Sequence, residues 1–299
     1  MKGLRSIESL RLRDGRQLCV RRWRGQGQGI LVALHGLLDS SEGWNALSAR
    51  MSCSILAFDL PGFGYSDAPP SGSIAGYAQD VAEGLEMLGV ERFTLVGHSL
   101  GGGVATAVAE LMPGKVAGLV LLAPVGFGQN HLAEVASFPI LRTLAMTALP
   151  WALSSRIAVT AAYLTMVTNG KLPERETVDR VTRNGRALVA GTQKAIRAIV
   201  DESRCNRERG LRRRAYRGPV TAIWGDRDRL VPASHRNALL AVLPQARIQL
   251  WEGVGHHPMA EQFDELVRVL KDSTAPLGAR TRSRRQSTAG SVPRLADAA

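Results

Sequence analysis

Residues 92–111 read RFTLVGHSLGGGVATAVAEL. Arg92 to Val96 is a short apolar run with the β-branched and aromatic content of a strand. Gly101 to Leu111 is a helical pattern rich in small residues that let a helix pack closely on a sheet. Between them, Gly97-His98-Ser99-Leu100-Gly101 matches G-x-S-x-G, the turn in which a serine hydroxyl is lifted out of a sheet between strand and helix. Strand, sharp turn and helix in immediate succession form one half of a parallel strand-helix-strand unit.

The same rhythm extends on both sides. Ile7 to Leu12 and Gln17 to Trp23 flank the turn dipeptide Asp14-Gly15 and read as a hairpin, so an antiparallel edge is expected. Ile30 to Leu34 and Ser54 to Phe58 are continuous apolar runs, as strands buried on both faces should be. The second exits through Asp59-Leu60-Pro61-Gly62-Phe63-Gly64, and a helix follows from Ile74 to Leu88. Val116 to Leu122 is the next strand. After it the strand-like runs stop, and the chain is alanine-rich and helical from about Val125 to Arg214. They resume at Val220 to Trp224, with a helix from Ala233 to Leu243, a strand from Arg247 to Trp251 and a last helix near Met259 to Lys271. The expected organisation is a core of residues 1–124 and 215–272, a helical lid inserted at 125–214, and a disordered basic tail at 273–299.

Composition sets the outer limits. The chain has 299 residues, 45% hydrophobic and 21% charged, enough to bury a full core. Cys19, Cys53 and Cys205 are odd in number, far apart and without C-x-x-C spacing, so neither a disulfide framework nor a zinc knuckle is suggested, and a reducing cytoplasm fits best. The opening Met1-Lys2-Gly3-Leu4-Arg5 does not build a secretory signal, and Val135 to Leu153 is broken by Pro139, Arg142 and Pro150, against a spanning helix. The net charge of +12 is concentrated in residues 1–24, in 204–217 and in the tail. These clusters lack interleaved aromatics, so they read as solvated faces able to make weak contact with anionic surfaces, and no sequence-specific nucleic-acid binding is expected.

A serine hydroxyl needs a general base, which in turn needs an orienting group. Of six histidines, His256 in Gly253-Val254-Gly255-His256-His257-Pro258 follows the last strand in a glycine-rich loop, where an imidazole can reach Ser99. His257 is its rival, but it abuts Pro258 at a helix start and is expected to point into the lid or pack locally. The carboxylate is expected after the preceding strand, in Trp224-Gly225-Asp226-Arg227-Asp228, with Asp228 as the partner and Asp226 as a turn or salt-link residue. Ser99, Asp228 and His256 then each lie at the carboxyl edge of a strand, where ligands bind in such sheets. Two backbone amides must face the developing oxyanion, and these are assigned to Leu100 and, in the His35-Gly36-Leu37 turn, to Leu37. His35 and His98 are expected to be structural.

With these motifs in order, together with the Asp59-to-Ser66 turn, residues 5–271 resemble the α/β-hydrolase superfamily. The resemblance is to its lidded branch of esterases, C–C bond hydrolases and cofactor-free haloperoxidases. It implies an α/β fold with a mostly parallel eight-stranded sheet flanked by helices, and a Ser-His-Asp mechanism with neither metal nor cofactor. Related dehalogenases and epoxide hydrolases carry aspartate where Ser99 stands. The expected activity is hydrolysis of a carboxylic ester or similar carbonyl compound, with C–C hydrolysis, lyase, acyl-transfer or perhydrolysis chemistry as alternatives on the same triad, and a silent binding fold as a further one. Phe127, Phe138, Met146, Trp151, Tyr163 and Met166 are candidate walls for a small apolar or aromatic substrate, or else core between lid helices.

Overall fold

In the computed structural model, the described residues are 5–70, 72–128, 148, 152–183, 194–196, 198, 199, 201, 202 and 216–274. The apolar runs become strands β1 (Arg5–Arg11), β2 (Gln17–Trp23), β3 (Ile30–Leu34), β4 (Ser54–Phe58), β5 (Phe93–His98), β6 (Val116–Leu122), β7 (Val220–Gly225) and β8 (Ala246–Trp251). They form one eight-stranded sheet in the order β1-β2-β4-β3-β5-β6-β7-β8. β1 and β2 form the expected hairpin, whose turn places Gly15 at φ 87°, and β2 runs antiparallel to β4. Every other pairing is parallel.

The central strands are mostly apolar because the sheet is covered on both faces, and alternate side chains enter two separate cores. Val32 and Leu34 of β3, Leu95 of β5, Leu119 and Leu121 of β6 and Trp224 of β7 join the larger cluster. Leu31, Ala33, Val96, Val120, Leu122 and Ile223 enter the other. The helices Ile74–Met87 and Leu100–Leu111 cover the first face, and the helix Phe263–Thr274 covers the second through Leu266, Val267, Val269 and Leu270.

Several expected boundaries move. β5 runs two residues past Val96, so it delivers His98 directly to the turn, and the following helix begins at Leu100. The single helix expected near Met259 to Lys271 is two, Pro258–Glu261 and Phe263–Thr274, because Gln262 adopts φ −135° and ψ 59° and its carbonyl starts the second helix by accepting from Leu266 N–H. That second helix reaches Thr274, inside the expected tail, whose remaining residues 275–299 lie outside the described ones.

Much of the expected insertion at 125–214 also lies outside the described residues, including Arg204 to Arg214. Its described parts include the helix Arg156–Ala162, a π-helical turn Tyr163–Val167 and a helix over residues 175–183. They share a small apolar cluster of Leu153, Val159, Val178 and Val181, against which Leu38 and Tyr163 pack. The N-terminal arginines divide: Arg11, Arg13 and Arg24 are exposed as a solvated face requires, while Arg16, Arg21 and Arg22 are half-buried or buried. Arg21 is buried and paired with Glu42 at 3.0 Å, Arg16 binds Asp80 and Asp14, and Arg22 binds Glu8. Strand pairing turns these positions inward or against acidic neighbours, which composition alone does not reveal.

Candidate active site

Ser99 sits between β5 and its helix at φ 52° and ψ −114°, a conformation costly for a residue with a Cβ. Such strain, about 1–3 kcal/mol, persists only where the surroundings over-determine it. Here the Ser99 N–H donates to the Leu122 carbonyl at 2.8 Å, and its own carbonyl accepts from Gly102 at 3.0 Å and Val125 at 3.1 Å. The two flanking glycines are required by close approach. A Cβ on Gly97 would lie 2.2 Å from the Gly101 carbonyl oxygen, and one on Gly101 would lie 2.4 Å from that of Leu34. The Ser99 side chain makes no capping bond to the helix it precedes, which leaves its hydroxyl uncommitted to that helix.

Beyond β7 and β8, two loops meet. His256 Nδ1 donates to Asp228 Oδ2 at 2.8 Å, and Asp228 Oδ1 accepts the Leu230 and Val231 amides at 2.9 and 2.8 Å. A carboxylate only accepts, so Nδ1 carries the proton of this bond, and the neutral tautomer it selects is the one with the lone pair on Nε2. The His256 backbone is held at both ends: its N–H donates to the Val167 carbonyl at 2.7 Å, and its carbonyl accepts from His98 Nε2 at 2.8 Å. The His98 and His256 rings lie 4.9 Å apart. Because His98 immediately precedes Ser99, this bond brings the His256 loop alongside the serine. All three candidate residues are buried.

The rivals sit differently. Asp226 Oδ1 accepts from the Gly253 amide at 2.8 Å and ties the two loops together, in keeping with a turn role. The ring of His257 lies against His98 and Tyr163, with centroids at 5.1 and 6.0 Å, and its Nδ1 is buried without a hydrogen-bond partner among the described residues. Burial pushes His257 down to about 4 despite the Asp39 carboxylate nearby, and it pushes His98 well below the ordinary imidazole range. Both rings are therefore neutral near pH 7, so no imidazolium from either stands beside His256.

The turn after β3 completes the arrangement. His35 is fully buried, accepts the Leu60 amide on Nε2 at 2.9 Å and donates from Nδ1 to the Gly36 carbonyl at 2.7 Å, so it fixes the turn. A Cβ on Gly36 would lie 3.3 Å from that of Ser99, which shows how closely the backbone leading into Leu37 passes the serine. Leu100 supplies the first amide of the helix Leu100–Leu111, one of those with no partner inside the helix. The candidate walls divide. Tyr163 packs on His257, Phe127 is buried within the larger core cluster, and Met166 is exposed. Phe138, Met146 and Trp151 lie outside the described residues. The sequence reading passed over Asp39 and Arg180, a buried ion pair beside this turn. No local signal announces Arg180's burial, because it stands two residues after Val178 and one before Val181, off the face that those two valines share.

Residues 29–263 match the family model described as the alpha/beta hydrolase fold. The chain belongs to this family. Among its relatives, the α/β-hydrolase chain is 31% identical over 274 residues to the Mycobacterium tuberculosis protein Rv2715, covering 84% of this chain and 77% of that one. It is 27% identical over 259 residues to the 2-hydroxy-6-oxo-6-phenylhexa-2,4-dienoate hydrolase of Comamonas testosteroni, covering 83% and 88%. A solved hydrolase from Pseudomonas aeruginosa superposes with a TM-score of 0.73 at 20% identity, covering 91% of this chain and 99% of that one. Among the described residues, no helix is long and apolar enough to cross a membrane, and no group of three His, Cys, Asp or Glu side chains could hold a metal ion.

Proposed function

We propose that this α/β-hydrolase is a serine esterase that cleaves small carboxylic esters of apolar or aromatic character through an acyl-enzyme. The observation that carries the reading is the 2.8 Å bond from His256 Nδ1 to Asp228, in a loop fastened to the residue before the strained Ser99. In the first half-reaction Ser99 Oγ bonds to the ester carbonyl carbon while its proton passes to His256 Nε2. The oxyanion takes hydrogen bonds from the Leu37 and Leu100 amides, and Asp228 steadies the imidazolium. The carbon–oxygen bond then breaks, and the alcohol leaves with the proton from His256. Water repeats the sequence on the acyl-enzyme and releases the acid. A cytoplasmic location belongs to the same reading, supported by Cys19 and Cys53 standing as buried free thiols.

A second reading, hydrolysis of a ketone on the same triad, is favoured by the similarity to the Comamonas testosteroni hydrolase. A dienoate ketone has no ester bond, so its hydrolysis means carbon–carbon cleavage. Rapid-mixing kinetics on p-nitrophenyl acetate, butyrate and octanoate separate the two. The expected result is a burst of one p-nitrophenol per chain followed by slower turnover. Absence of burst and turnover on every ester, with steady cleavage of the dienoate ketone, would replace the first reading by the second.

A further inference from the structure

Beside the triad lies a buried ion pair that the proposed chemistry does not use. Arg180 Nε donates to Asp39 Oδ1 at 2.8 Å, and both side chains are 7% exposed. Taking two charges out of water is costly and is recovered only in good geometry, so such a pair is weak evidence for stability and invites another explanation. Burial pushes the Asp39 carboxyl upward, but the Arg180 guanidinium and the imidazoles of His35 and His257 outweigh it and hold the group below the usual carboxylate range.

The pair joins the turn after β3 to a segment 141 residues away. Asp39 stands two residues after Leu37, and Leu38 between them is in the left-handed region at φ 64°. The Oδ1 that binds Arg180 also accepts the Ser40 amide at 2.8 Å. From the other side, Val178 and Val181 flank Arg180 and belong to the small cluster on which Leu38 packs. Glu42, a little further along, lies 3.6 Å from Arg183. The Leu37 amide thus has a fixed end before it, set by His35 on Leu60, and beyond it a strained Leu38 packed on the cluster of residues 153–181 and an Asp39 paired with Arg180.

We infer that Arg180 is a positioning residue for the oxyanion contact: acting through Asp39, it holds residues 37–40 so that the Leu37 amide keeps its aim at the reacting carbonyl oxygen. The inference rests on the acyl-enzyme reading above. An oxyanion donor contributes in the transition state and not to ground-state binding, so its misplacement lowers kcat and leaves KM nearly unchanged. Removing one such donor costs about 10²–10³ in kcat, and loosening one costs about 10–100-fold.

The test compares wild type, Arg180→Met, Arg180→Lys and the double variant Asp39→Asn/Arg180→Met on p-nitrophenyl butyrate. It adds the inhibition constant of an aryl trifluoromethyl ketone, whose serine adduct places an oxyanion in the same position. Arg180→Met is expected to lose about 10–100-fold in kcat with KM within about twofold, to weaken the ketone by the same factor, and to be partly rescued by lysine. The double variant strands no buried charge, and it is expected to show the same loss even where Arg180→Met fails to fold. A folded double variant with wild-type kcat and only a lowered Tm would make the pair structural and overturn the inference. A rise in KM with unchanged kcat would overturn it in favour of a substrate-binding contact. Wild-type protein that neither cleaves the ester nor binds the ketone would overturn the parent reading and this one together.

Discussion

Replacing His256 by alanine is expected to lower kcat on p-nitrophenyl esters by about 10⁴–10⁶-fold, while His257→Ala keeps turnover within about tenfold. The adjacent imidazoles differ in what surrounds them. His256 is bonded through Nδ1 to a carboxylate, its tautomer is set, and both ends of its backbone are held by Val167 and His98. His257 has no hydrogen-bond partner on Nδ1 among the described residues, and burial pushes it down to about 4. No carboxylate among the described residues is hydrogen-bonded to its ring to orient it as Asp228 orients His256, so its loss removes packing against Tyr163 and His98 and leaves general-base catalysis in place. Steady-state kinetics on the two folded variants are the check. Equal losses would contradict the assignment of His256.

Asp228→Asn is expected to cost about 10⁴-fold in kcat with the fold intact. The direction follows from what each carboxylate oxygen does. Oδ1 accepts the Leu230 and Val231 amides, and those two donors select the carbonyl oxygen of an asparagine. Its NH2 then faces His256 Nδ1 and forces the ring into the tautomer with the proton on Nε2, which cannot take one from Ser99. Asp226→Asn is expected to stay within a few-fold of wild type, because its Oδ1 serves the Gly253 amide and the carbonyl of asparagine accepts that bond equally well. Near wild-type turnover by Asp228→Asn would show that the orienting group lies elsewhere.

The features that were legible in the sequence are those written locally. The apolar runs of β3, β5 and β6 announce strands buried on both faces, since each feeds side chains to both cores. The glycines around Ser99 announce a close turn, because a Cβ at Gly97 or Gly101 would strike backbone. Asp228 and His256 stand in loops at the ends of neighbouring strands, and proline and turn chemistry are what set them apart from His257 and Asp226 in the sequence. What was not legible depends on pairing over distance. Arg21 reads as one more basic residue near the start, yet the hairpin register carries it inside to Glu42. Asp39 and Arg180 find each other across 141 residues with no spacing to announce it. The break at Gln262 is likewise invisible to a continuous helical pattern, because no glycine or proline marks it.

The most direct measurement of the central claim is reaction of the purified chain with a fluorophosphonate, read by intact mass and peptide mapping. A phosphonyl group reports a serine nucleophile activated in place and demands no knowledge of the natural substrate. The expected result is a single adduct on Ser99 in the wild type and none in Ser99→Ala. A wild-type chain that stays unlabelled, or a Ser99→Ala variant that still takes up one adduct, would contradict it.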